Sequence, residues 1–204
     1  MNSKLLSPRK QPKQNRSAFM VETTLQAATR VLSKESLAGF NTNRVAEVAG
    51  ISVGSLYQYF PNKSALVAAL LEREHAKLCE DIERCIKKGK GQPLALSVQN
   101  LAKIAIHHQH GDAIFAAALD HEERRLPVQA ALESFQQRML VALSGLMKEH
   151  RESLPKSLPK EAPKDCMMIA KAMVESEQVT NASQKLRLQK RLTRALMGYL
   201  LLSN

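Results

Sequence analysis

Residues Asn41–Leu66 read NTNRVAEVAGISVGSLYQYFPNKSAL, and the reading of this stretch decides the fold. It gathers Tyr57, Tyr59, Phe60, Pro61 and Lys63 in a chain where only 4% of residues are Phe, Tyr or Trp. Thr42 precedes NRVAEVAG, in which Val45, Ala46 and Ala49 share one face. That pattern predicts a short helix capped by Thr42 and stopped at Gly50. Ile51 and Ser52 make the connection, and Ser52 can cap a second short helix, VGSLYQYF. Its Leu56 and Phe60 are four apart and point to the same side. Pro61 and Asn62 break it, and the next helix starts around Asn62 to Ser64.

Two short helices joined by a tight turn containing Gly, with a helix in front and another behind, make the helix-turn-helix arrangement that enters the major groove of DNA. Gly50 permits the positive-φ exit from the first helix, while Leu56 and Phe60 anchor the second against a core. The opposite side, Val53, Gly54, Ser55, Tyr57 and Gln58, is left to face outward. Gly54 and Ser55 are small enough for close approach to DNA, and Tyr57 offers a hydroxyl and a flat ring. Tyr59 and Lys63 stand at the rim where phosphates would pass. Helix N-termini at Thr42 and Ser52 add N–H donors suited to the same anions, and Arg44 brings a cation beside one of them.

Working outward, SAFMVETTLQAATRVLSKES from Ser17 sets Val21, Leu25, Ala28, Val31 and Leu32 at three- and four-residue steps, the stripe of an amphipathic helix ending near Gly39. KSALVAALLEREHAKLCEDIERCIKK from Lys63 is long enough to leave the first domain. Helical patterns follow in LALSVQNLAKIAIHHQH, AIFAAALDHEERR, VQAALESFQQRMLVALSGLMKEH, CMMIAKAMVESEQV and QKLRLQKRLTRALMGYLLL. They are separated by Gly89, Gly91 and Pro93, by Gly111, by Pro127, and by a stretch with Pro155, Pro159 and Pro163 read as an exposed loop. No strand alternation or fixed-period repeat stands out, so the fold class is all-α. The expected organisation is a flexible basic arm over 1–16, a helix-turn-helix DNA-binding domain over 17–63, and a helical bundle over 64–204 for ligand binding and dimerisation.

The formal charge of +11 sets up a field that attracts a polyanion. Residues 1–16 carry five cations and no acid, which fits either a solubilising tail or an arm along DNA phosphates. No apolar run reaches the roughly 20 residues of a membrane span, and the basic N-terminus lacks a secretory apolar core, so the expectation is a cytoplasmic protein without a membrane partner. Cys79, Cys85 and Cys166 form no metal or redox spacing and read as packing residues. His107, His108, His110 and His121 lie near Asp112, Asp120, Glu122 and Glu123 without a ligand set on one helical face, and read as helix-end and surface groups rather than a metal site. There are no paired carboxylates, nucleophile-elbow glycines or phosphate loop at usable spacing, which argues against an enzyme and implies no cofactor.

The run AGISVGSLYQYFPNKSAL resembles the DNA-binding segment of the tetracycline-repressor (TetR) family of bacterial transcriptional regulators. The likeness covers about residues 17–70 and includes TTLQAATRVL and the GFNTN of Gly39–Asn43. The chain departs from the family's habit at Thr24 and Leu32, which are packing positions. The resemblance implies a homodimer on a palindromic operator in double-stranded DNA, usually a repressor, with a variable C-terminal domain that senses a small molecule. By position it implies that Thr42 and Asn43 touch phosphates or bases, that Val53, Gly54, Ser55 and Tyr57 lie in the groove, and that Tyr59 and Lys63 grip phosphates. It also implies that the last two helices pair with their copies. Phe115, Leu119, Phe135 and Met139, on the central helices, are the expected effector contacts. Charge alone also accommodates a non-specific, nucleoid-associated nucleic-acid binder.

Overall fold

The computed structural model describes residues 15–202; the basic arm expected over 1–16 lies outside the described side chains. Nine α-helices and no strand occur among the described residues: α1 Asn15–Gly39, α2 Thr42–Ala49, α3 Val53–Tyr59, α4 Lys63–Lys88, α5 Leu94–His110, α6 Ala113–Arg125, α7 Gln129–Glu149, α8 Ala162–Glu175 and α9 Ala182–Leu201. A 3-10 turn at Arg151–Ser153 follows α7. The described residues form two compact units, one of residues 15–75 with 112–131, the other of 76–111 with 132–202.

In the first unit α1 packs on α2 and on α6, and α2 on α3. Leu25, Ala28, Val31 and Leu32 are buried along α1, as their spacing predicts, and the fully buried Phe60, Leu56, Val45, Leu66, Val67 and Leu70 complete the core. Each Val, Leu or Phe side chain among them contributes about 1.5–3 kcal/mol by leaving water. Thr24 is buried with them, its hydroxyl satisfied by donating to the Met20 carbonyl at 2.7 Å. Arg73 of α4 reaches Thr29 and Glu22 of α1 and so ties the two helices together. α1 breaks before its end, because Ser36 sits at φ 54°, ψ −168°.

The second unit holds two apolar clusters. One joins Val98, Ala102 and Ile106 of α5, Cys166 and Val174 of α8, and Leu188, Leu192, Leu196 and Leu200 of α9. The other joins Cys79 and Ile82 of α4, Leu101 of α5, and Met139 and Leu146 of α7. Arg138 donates two hydrogen bonds to the Glu83 carboxylate, at 2.6 and 2.7 Å, which binds α7 to α4 and holds that carboxyl below its ordinary range. All three cysteines are free thiols. Burial pushes each thiol up, Cys166 to about 12, so they stay protonated and act as packing groups.

Two sequence expectations need correction here. The Pro-rich stretch is shorter as a loop than its three prolines suggest, because α8 starts at Ala162 with Pro163 in its first turn, where a missing N–H costs nothing. His110 is not a surface group: it is buried, and its Nε2 lies 3.0 Å from the Val174 carbonyl, so the ring N–H donates across from α5 to the end of α8.

Candidate nucleic-acid interface

The turn between α2 and α3 is built by backbone hydrogen bonds. Gly50 adopts φ 68°, and the N–H groups of Gly50 and Ile51 donate to the carbonyls of Glu47 and Ala46 at 3.1 and 3.0 Å. This pairing closes α2 and reverses the chain in a left-handed conformation that glycine adopts without a Cβ penalty. Ser52 then opens α3, its Oγ accepting the Ser55 N–H at 3.0 Å. Leu56 and Phe60 are wholly buried. With those two inward, Val53, Gly54, Tyr57 and Gln58 are exposed, Val53 by 36% and Tyr57 by 39%, so the opposite edge of α3 is open.

The N-cap of α2 differs from the expectation. Asn41, not Thr42, caps the helix, its side-chain oxygen accepting the Arg44 N–H at 2.9 Å. Asn is at least as good a cap as Thr and stands one residue earlier. Thr42 is thereby released for another contact: it is buried, and its Oγ1 lies 3.0 Å from the Tyr57 hydroxyl. This bond ties α2 to α3 and fixes the direction of the Tyr57 ring.

The other expected DNA-contact residues lie on α2, α3 and α4. Asn43 is exposed beside Thr42, and Ser55 is half-buried with its hydroxyl 2.8 Å from that of Ser52. Tyr59 is half-buried at the end of α3. Lys63 opens α4 with its ammonium 5.3 Å from the centroid of the Phe40 ring. Arg44 is held inside the protein's own ion pairs, to Glu35 at 2.7 Å and Glu47 at 2.9 Å, and these carboxylates, Glu47 foremost, raise its pKa further. Sequence reasoning missed Asn41 and Glu35; the Asn preceding α2 carried a legible cap signal, whereas Glu35 lies nine residues from Arg44 and on another helix.

Of the expected effector residues, Phe115, Leu119 and Met139 are buried and Phe135 is half-buried. Phe115 and Leu119 are core residues of α6 in the first unit, while Met139, with Phe135 packed nearby, belongs to the α4–α5–α7 cluster of the second. No group of His, Cys, Asp and Glu among the described residues could hold a metal ion, and no described helix is long and apolar enough to cross a membrane.

Residues 25–70 match the family model of bacterial regulatory proteins of the tetR family. The nucleoid occlusion factor SlmA of Haemophilus ducreyi is 36% identical over 64 residues, a match that covers 31% of this chain and only 32% of that protein. Among solved structures, a TetR-family transcriptional regulator from Mesorhizobium loti superposes with a TM-score of 0.73 at 16% identity, over 92% of this chain and 98% of that one. The regulator FadR of Bacillus subtilis, solved with stearoyl-CoA, gives 0.69 at 17% identity, over 87% and 98%. At these identities the structures speak for the fold, and the sequence matches for the DNA-binding third of the chain.

Proposed function

We propose that this chain, which carries the tetR-family DNA-binding segment on an all-α fold like that of TetR-family regulators, is a ligand-responsive repressor that binds a palindromic operator as a homodimer. The observation that carries the reading is the open edge of α3, with Val53, Gly54 and Tyr57 outward while Leu56 and Phe60 are completely buried. In this reading α3 enters the major groove, Val53, Gly54, Ser55 and Tyr57 meet base edges, and Asn43, Tyr59 and Lys63 meet phosphates. Thr42 acts through Tyr57 by holding its hydroxyl. Arg44 contributes to DNA only if it leaves Glu35 and Glu47, so its first role is to brace the end of α1 against α2.

The dimer contact is assigned to α8 and the second half of α9. There Arg194, Met197, Gly198, Leu201 and Leu202 line a shallow hollow, and Leu201, Leu202 and Met168 are exposed. The effector contacts are proposed within the second unit, at Phe135 and Met139 of α7. Arg138 and Glu83 link α7 to α4, the helix that begins at Lys63 beside α3 and belongs to both units. A ligand that moves α7 would shift α4 and with it the distance between two recognition helices, which the operator's half-site spacing fixes. Release then follows from differential affinity of the two states for DNA. The protein acts in the cytoplasm and catalyses no reaction.

Footprinting on the DNA upstream of its own gene tests the reading. A discrete, two-fold symmetric protected site that survives competitor DNA is expected. Uniform protection with steep salt dependence and no site would instead identify a non-specific, nucleoid-associated binder.

A further inference from the structure

Leu56 and Phe60, which closes α3, are wholly buried and fix the way this helix faces. At about 100° per residue, Gln58 stands about 180° from the mean direction of that pair, with Gly54 about 40° to one side of it and Ser55 about 60° to the other. Tyr57 and Tyr59 lie about 100° away on the two flanks. Gln58 is therefore the side chain that α3 sends most directly away from its own core, and it is exposed.

The hydroxyls beside it are already engaged: that of Ser55 lies 2.8 Å from that of Ser52, and that of Tyr57 lies 3.0 Å from Thr42 Oγ1. The Gln58 amide, with two N–H donors and an oxygen acceptor, bonds to no described residue. An exposed glutamine is by itself an ordinary surface residue, but this one follows Gly54 by one turn on the same side, and the fold does not ask for a glycine there. The φ of Gly54 lies outside the left-handed region, and an added Cβ would meet only Ser52 Oγ, at an unstrained 3.8 Å. Glycine weakens a helix relative to alanine, and its use where neither conformation nor internal packing needs it points to close approach from outside.

We propose that Gln58 reads one adenine in each half-site, its amide donating to N7 and accepting from N6, while Gly54 lets the groove come close to the helix. The inference rests on the DNA-binding reading above and names the base that the site selects. Adenine presents an acceptor and a donor side by side in the major groove, the pattern that an amide complements, whereas guanine presents two acceptors. Val53 and the Tyr57 ring, held by Thr42, are left for apolar contacts such as thymine methyl groups.

The test selects duplexes from a randomised library with the full-length protein, then titrates single-base variants of the selected site by fluorescence anisotropy. Wild type should select a two-fold symmetric site in which changing one particular A·T pair to G·C weakens binding about tenfold. Gln58→Ala should bind the two versions alike. Gln58→Arg should prefer the G·C version, because a guanidinium donates to both guanine O6 and N7. A new preference is a gain that a misfolded variant cannot produce. Gly54→Ala should lower affinity for the selected site about tenfold, with a urea midpoint no lower than that of wild type. The inference is overturned if Gln58→Ala and Gln58→Arg keep the wild-type base preference at every position, or if Gly54→Ala binds as wild type does. Either of those results leaves the selected site, and the DNA-binding reading, standing; a wild-type protein that selects no sequence would sink both.

Discussion

Tyr57 stands half in solvent with its hydroxyl 3.0 Å from Thr42 Oγ1, so what it offers to DNA is set by a residue on the preceding helix. Thr42→Val keeps the shape and removes the hydroxyl. Operator affinity measured by anisotropy titration should then fall about fivefold, the loss expected from one hydrogen bond of about 1 kcal/mol. Lys63→Ala should behave differently, lowering affinity evenly across sequences and reducing the salt slope by about one. The outward positions of Val53, Gly54 and Tyr57 were legible because a buried pair four residues apart fixes the rest of a short helix. The state of Arg44 was not, because a charge beside a helix N-terminus reads as an anion contact until Glu35 of another helix is seen to occupy it.

α1 shows where helical periodicity stops informing. Its buried stripe continues the spacing of Leu25, Ala28, Val31 and Leu32, but the chain turns out of the helix at Ser36, whose φ of 54° lies where a side chain is strained. Ser36→Gly relieves that strain and should raise unfolding free energy by about 1 kcal/mol, read as a higher urea midpoint with unchanged slope. An unchanged or lower midpoint would show that Ser36 is at ease there. The extents of α4, α5 and α6 were legible almost to the residue, since Gly and Pro punctuate them and their stripes are long. The start of α8 was hidden because Pro163 counts as a breaker in a sequence yet is harmless in a first helical turn.

The net charge of +11 pointed to a polyanion, but its distribution carries a separate message: eighteen Lys and Arg stand against ten Asp and Glu in the unit containing α5, α8 and α9, whereas residues 15–75 and 112–131, around the helix-turn-helix, hold eight against nine. A net figure contains no positions, so sequence composition alone could not have made that distinction. On α9 the outward stripe of Arg187, Lys190 and Arg194 continues at the same steps into Met197 and Leu201, and Arg194 shares a shallow hollow with Met197, Gly198, Leu201 and Leu202. Leu201→Asp should shift the sedimentation equilibrium toward monomer and weaken operator binding, because a lone subunit engages one half-site. The account as a whole depends on α3 reading base pairs through its open edge. The most direct measurement compares wild-type protein and Tyr57→Ala on the footprinted site and on a random duplex of equal length. The account predicts at least a tenfold loss on the site with little change on the random duplex; equal affinity of both proteins for the site would contradict it.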